Sequence, residues 1–342
     1  MTISAHGTLE QLTVRDDLPV PELRAPTDVR VRVLAAAINH LDLFVVGGLP
    51  NVKITPPWIV GSDAAGIVEA VGPEVTGVQV GDMVVINPGT SDRTCAYCRE
   101  DDQPLCLNYG ILGEQLPGTI AEQVVVPGVN ALPVPASTPV PQAAGFALAT
   151  LTAWRMVVTR ARVQAGERVL IWGIGGGVAL AALQICKLIG AEVWVTSGSE
   201  EKLARARALG ADHTLNHREV EVGREIRAAT GKAGVHVVID NVGTATWKQS
   251  LVALGRRGRL VTCGGTSGPM VETDVRRMFW NQWTLMGSTM GSEREFAAIV
   301  EHLRQGRLLP PVDRVFPLEQ GRAAFERLAS GEQFGKVVIA VG

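Results

Sequence analysis

Asp92, Cys95, Cys98 and Cys106 have the types and spacing of a metal site: a D-x2-C-x2-C-x7-C run that gathers three of the five cysteines into fifteen residues. Thiolates separated by two residues can reach one tetrahedral ion across a tight turn, and a third thiolate with a carboxylate oxygen completes four-coordination. Such a site is closed, so a zinc there would be structural rather than catalytic. Because Asp is a harder and rarer zinc ligand than Cys, the alternative is three free thiols in a polar loop. Arg93, Asp101 and Asp102 make the segment a solvated lobe rather than a core strand.

A second chemical signal follows the apolar run VLIW. Gly173-Ile174-Gly175-Gly176-Gly177-Val178-Ala179 opens a long apolar helix. Glycines at a strand-to-helix turn let the backbone approach a pyrophosphate, while the helix N-terminus offers free amides and partial positive charge. A tight crossover with close helix packing is the alternative. About 20 residues on, where an NAD site places Asp or Glu on the ribose diol, stands Ser197, with Lys202 beyond it. With no carboxylate to repel a 2′-phosphate and a lysine to pair with it, charge favours NADPH over NADH, an argument that Glu200 and Glu201 weaken. Ser197 and Glu200 also read as an S-x-x-E capping box, and both roles are compatible. Asp240-Asn241-Val242-Gly243 and Cys263-Gly264-Gly265 fall where strands end, the edge at which doubly wound sheets bind ligands. Cys263 and Cys186 read as buried fillers.

These signals need elements to position them. Before residue 127, short β-branched runs at 29–33, 65–71, 83–86 and 123–126 are punctuated by glycine and proline, which predicts a small antiparallel barrel. Five prolines between 127 and 141 mark a boundary, and 143–158 has a helical apolar pattern. From Arg168 on, strands at 169–172, 192–196, 235–239 and 259–262 alternate with helices at 179–188 and 200–209, which predicts a parallel sheet with crossovers. Helices at 293–304 and 318–328 and a strand at 336–341 return the chain to the barrel domain. The length of 342 residues allows two domains, and no repeat or low-complexity tract is visible. A net charge of −2 with no basic run argues against nucleic acid or an anionic membrane as partner, leaving small molecules. The first residues lack the pattern of a signal peptide and no window offers eighteen strongly apolar residues, so a cytoplasmic location is expected, where clustered cysteines favour metal over disulfides.

The segments NPGTSDRTCAYC and LCLNYGILGE, the glycine-punctuated GSDAAGIVEAVGPEVTGVQVGDMVV, the turn at 173–179 and the terminal FGKVVIAVG together resemble the medium-chain dehydrogenase/reductase superfamily, from about residue 8 to the end. The resemblance implies an α/β chain: a Rossmann doubly wound parallel sheet over 146–289 and a barrel-like (GroES-like), mostly β catalytic domain over 1–145 and 290–342, with a structural zinc lobe at 87–115. Asp92 stands where that family usually has a first cysteine ligand, and Ala179 replaces the last glycine of its coenzyme turn. Coenzyme contacts are implied at Asn39, Thr152, Gly175, Gly176, Gly177, Val178, Ser197, Lys202, Val242, Gly264 and Lys336.

Zinc alcohol dehydrogenases of the family need a second, open metal site. At the positions of its ligands this chain has Asn39, Ser62-Asp63 and Leu148, and leucine cannot bind a metal. Ala37 to Asp42 and GSDAAG instead resemble zinc-free quinone and enone reductases, in which the asparagine at the Asn39 position lies near nicotinamide and substrate. Hydride transfer to a quinone or α,β-unsaturated carbonyl suits such a site, because the product oxyanion is delocalised and hydrogen bonds suffice to stabilise it. Asn39 is then an orienting donor, with His40 and Asp42 either a proton relay or merely loop and turn residues; Tyr109 is a further candidate, its alternative role an anchor of the lobe. The expectation is an NADPH-dependent reductase with one structural zinc, forming a homodimer or homotetramer through an apolar edge at 280–290. A zinc-dependent alcohol dehydrogenase and a nucleotide-binding protein without turnover are the alternatives.

Overall fold

The computed structural model describes residues 1–50 and 52–342, which divide into two compact units, Met1–Leu151 with Gly291–Gly342, and Thr152–Met290.

The first unit is a mostly β, GroES-like domain. Its sheet runs Val312–Pro317, Lys336–Ala340, Asp28–Ile38, Asp63–Val71, Met83–Ile86, Ala131–Pro133, and Gln123–Pro127 also pairs with Asp28–Ile38. Strand Asp28–Ile38 explains its own placement. Val29, Val31 and Val33 alternate inward, while Arg30 and Arg32 reach Glu69 at 3.8 and 3.5 Å. From Ala35 to Ile38 every residue is buried, and three consecutive alanines let helix Val140–Ala144 pack close. Two register pairs set up the chemistry: Ala37 faces Asp63, and Ile38 faces Val337. Asn39, Asp63 and Lys336 are therefore neighbours at one end of three paired strands.

The second unit is a Rossmann-type parallel sheet. Its strands are β1 (Arg168–Ile171), β2 (Glu192–Ser197), β3 (His213–Asn216), β4 (Val235–Asp240), β5 (Leu254–Thr262) and β6 (Thr284–Gly287), all parallel, in the order β3-β2-β1-β4-β5-β6. The order reverses between β1 and β4, which makes the carboxyl end of β1 the switch point where such sheets bind ligands. Trp172, Trp194, Trp247 and Trp283 belong to its buried cluster. The expected apolar edge at 280–290 divides differently: Trp280 closes helix Val275–Asn281, and only Thr284–Gly287 forms the edge strand. No helix among the described residues is long and apolar enough to cross a membrane.

Candidate functional site

The lobe brings its four predicted ligands together: one ligand atom each from Asp92, Cys95, Cys98 and Cys106 lies within 4.8 Å of the others. Cys95 caps the short helix Ala96–Arg99, which turns Cys98 back beside it, with sulfurs 3.5 Å apart. Asp92 Oδ1 stands 3.5 Å from Cys98 Sγ. A tetrahedral ion with bonds of about 2.3 Å needs ligand atoms roughly 3.7 Å apart, so the set fits zinc. Asp92 is aimed by donors: Oδ1 accepts the Thr94 and Cys95 amides at 2.9 and 3.0 Å, and Oδ2 accepts Asn108 Nδ2 at 2.9 Å. The Thr94 amide, the Asn108 side chain and the Cys95 amide hold its carboxyl well below the usual carboxylate range, keeping it ionised as a ligand must be. The lobe is fastened to the start of helix Glu293–Arg304 by Asp101, which accepts from Ser292 Oγ at 3.0 Å and Arg294 Nε at 2.9 Å, and by an Arg93–Glu293 ion pair at 3.1 Å. Asn108→Ala is expected to weaken zinc binding roughly 10- to 100-fold by releasing the carboxylate. Competition with a chromogenic chelator measures this, and unchanged affinity would remove Asp92 from the ligand set.

At the end of the first unit's central strands lies a closed polar cluster. Lys336, 3% exposed, donates from Nζ to Asn39 Oδ1 at 2.5 Å and to Asp63 Oδ2 at 3.0 Å, and Asp63 is fully buried. Asp63 Oδ2 also accepts Asn39 Nδ2 at 3.0 Å, and Oδ1 accepts the Leu148 amide at 2.7 Å. Buried charges persist only when paired and hydrogen-bonded, and these meet both conditions. Asn39, Ser62, Asp63 and Leu148, the positions of the family's catalytic ligands, do not fit a catalytic zinc. The one carboxylate is bound to an ammonium, the Ser62 hydroxyl is given to Asp42, and Leu148 contributes only a backbone donor.

Asp42 and His40 part company here. Asp42 is fully buried; its Oδ2 accepts the Asn39 amide at 2.7 Å, closing the first turn of helix His40–Gly47, and its Oδ1 accepts Ser62 Oγ at 3.2 Å. Burial pushes its carboxyl up to about 7, opposed by the Asn39 amide and assisted by negative Asp63. His40 lies on the exposed side of the same turn, and among the described residues no hydrogen bond joins it to Asp42. The structure thus does not assemble a His40–Asp42 relay. The protein packed around His40, with the positive charge of Lys336, lowers its pKa, so the ring is neutral at pH 7. Tyr109 belongs to the lobe, its ring set against Gly89 where a Cβ would meet the hydroxyl.

In the second unit, β1 leads through Trp172 into the glycine turn. Gly173 and Gly175 have φ of 68° and 126°, conformations that need glycine, and Gly176 caps helix Gly177–Ile189. The first-turn amides of Gly177 and Val178 have no carbonyl one turn back, which suits a pyrophosphate. Val242 packs over this turn, 3.8 Å from where a Gly173 Cβ would stand, and Gly264 follows the end of β5. Ser197, 5% exposed, ends β2. The expected Ser197–Glu200 box does not form: Ser199 caps helix Glu200–Ala208, accepting the Lys202 amide at 3.4 Å, and Ser197 Oγ accepts the Ser199 amide at 3.1 Å. Thr152 lies on helix Ala147–Trp154, its hydroxyl 3.8 Å from Met290 Sδ. Burial pushes the thiols of buried Cys186 and half-buried Cys263 up to about 12, which disfavours the reactive thiolate.

Two features escaped the sequence reading. Lys336 was expected on the coenzyme, yet its ammonium is engaged by Asp63 and Asn39; the signal was a lysine inside the otherwise apolar run KVVIA, a charge that must find a partner. Arg218, just past β3, crosses the backbone of Gly198, where a Cβ would stand 2.5 Å from its Nε. This places a guanidinium beside Ser197.

The comparisons agree with this architecture. Residues 25–136 match the alcohol dehydrogenase GroES-like domain, and residues 177–305 the zinc-binding dehydrogenase family. The chain is similar to a solved NAD-dependent alcohol dehydrogenase, with 42% identity, a TM-score of 0.95, and coverage of 100% of this chain and 99% of that one. It is 32% identical to a zinc-type alcohol dehydrogenase-like protein of Schizosaccharomyces pombe over 95% of this chain and 94% of the relative. It is 28% identical to a human quinone oxidoreductase over 97% and 94%. The chain belongs to the zinc-type alcohol dehydrogenase-like branch of the medium-chain dehydrogenase/reductase superfamily and is an oxidoreductase.

Proposed function

We propose that the protein is an NADPH-dependent reductase of quinones or α,β-unsaturated carbonyls that uses one structural zinc and no catalytic metal. The observation that carries this reading is the Lys336–Asp63–Asn39 cluster, in which the donors of the family's catalytic metal site bond one another and a lysine ammonium. The glycine turn would hold the coenzyme pyrophosphate, and when bound the coenzyme supplies the hydride. Asn39 has a second amide N–H beyond the one given to Asp63, so it can orient an acceptor carbonyl, and neutral His40 can donate a ring N–H to the oxygen that becomes negative. Asp42 acts through Asn39, whose backbone amide it fixes. Hydride adds to the acceptor carbon and the product anion takes its proton from water, with neutral His40 donating only a hydrogen bond, which balances the two-electron reduction. The acceptor is expected to be a small molecule. Exposed Phe279 and Trp280 on helix Val275–Asn281 support self-association.

The coenzyme preference rests on Ser197, Lys202 and Arg218 at the end of β2. A guanidinium–phosphate contact is worth about 1.5–3 kcal/mol, so Arg218→Ser should lower kcat/KM for NADPH roughly 10- to 100-fold and leave NADH within about twofold. An equal loss with both coenzymes, or a preference of the native protein for NADH, would contradict NADPH as the coenzyme.

The name of the 42% identical structure favours a second reading, an NAD-dependent alcohol dehydrogenase. It requires a metal at the Asn39–Asp63 position. Elemental analysis separates the two: one zinc per chain supports the reductase, and two tightly held zincs support the alcohol dehydrogenase.

A further inference from the structure

The opposite edge of the parallel sheet carries a feature that neither the coenzyme turn nor the polar cluster uses. Where β1, β4 and β5 begin, a cavity of about 640 Å³ is lined by Arg168, Arg227, Lys232, His236 and Arg256, and no carboxylate is among its lining residues. The cations come from separate elements: Arg168 opens β1, Arg227 lies on helix Val222–Ala229, Lys232 on the loop before β4, His236 on β4, and Arg256 on β5.

Among the described residues, no salt bridge joins Arg168, Arg227, Lys232 or Arg256 to a carboxylate. Arg227 spends its donors on neutral carbonyls, Val252 O at 2.9 Å, Lys232 O at 2.5 Å and Leu254 O at 2.6 Å. Arg168 Nε is buried without a hydrogen-bond partner. Two acids lie nearby: Glu167 is held by Arg259 at 2.6 Å, and Glu192, opposite Arg168 on β2, is held by His213 at 2.7 Å. His236 Nδ1 accepts the Arg168 amide at 2.9 Å, which leaves Nε2 as the protonated nitrogen, a further donor. Four fixed positive charges around one concavity repel one another unless an anion joins them.

We infer that this cavity is an anion site for a small molecule carrying two or more phosphate groups, separate from the coenzyme turn at the other end of the same strands. The volume falls in the range of small-ligand pockets, about 300–1,000 Å³. A nucleic acid is disfavoured because the whole chain is net −2.

The test is calorimetric titration of the full chain with inorganic tripolyphosphate, comparing the native protein, the double variant Lys232→Asn/Arg256→Ser, and Arg218→Ser. Lys232 and Arg256 are exposed, and asparagine tolerates the left-handed backbone at position 232 (φ 69°), so the double variant should melt with the native protein. The inference predicts that the double variant binds at least tenfold more weakly while Arg218→Ser binds as the native protein does. Equal affinity in native and double variant, loss in Arg218→Ser alone, or no binding at millimolar tripolyphosphate would each overturn it.

Discussion

Lys336→Met is expected to destabilise the protein by about 3–5 kcal/mol, because it strands a buried carboxylate without its partner. Asp63 is fully buried, so water cannot replace the ammonium, and the Asn39 and Leu148 donors alone must carry the charge. At about 2–4 °C per kcal/mol, the melting temperature should fall by roughly 10 °C. Adding Asp63→Asn to Lys336→Met should recover part of the loss, since removing both charges costs less than removing one. Thermal and urea unfolding of the two single variants and the pair measure this coupling. A Lys336→Met variant as stable as the native protein, or a pair whose losses simply add, would dissolve the cluster as a unit.

The second large effect concerns pH. Asp42 titrates near 7 in the folded chain against a usual value near 3.8, so between these pH values the folded state holds a proton that the unfolded state has released. Stability from this group is therefore complete below about pH 4 and is lost as pH rises to about 7. The full shift corresponds to at most roughly 4 kcal/mol. Asn at position 42 keeps an oxygen for the Asn39 amide and carries no charge. Asp42→Asn should match the native protein near pH 4.5 and exceed it above pH 7.5, by up to about 4 kcal/mol in urea unfolding. A difference between the two that stays constant from pH 4.5 to 8.5 would mean that Asp42 is ionised throughout.

Much of this molecule is legible in its sequence because the signals are local. The spacing of Asp92, Cys95, Cys98 and Cys106 encodes a cluster that one short helix and a turn suffice to close. The run from β1 through Gly173 and Gly175 into a helix encodes both the parallel sheet and its ligand edge. Among the elements that escaped are His213–Asn216, four residues and only partly buried, and Val222–Ala229, amphipathic but only eight residues long and without a Ser, Thr, Asp or Asn cap to announce it. The polar cluster was only half legible. Asn39, Ser62, Asp63 and Leu148 mark the absence of a metal-binding set, but Lys336 stands 273 positions from Asp63, and only the pairing of the last strand with Asp28–Ile38 brings it there. Arg218 was invisible for the same reason, since strand pairing rather than spacing lays it over Gly198.

The most direct test is NADPH consumption, with NADH in parallel, against a panel of quinones, enones and simple alcohol–aldehyde pairs, in a chelator that strips accessible metal but leaves one zinc per chain. The account predicts turnover of a quinone or enone with NADPH that the chelator does not change. Turnover confined to alcohol–aldehyde pairs, and abolished when a second metal is removed, would contradict it.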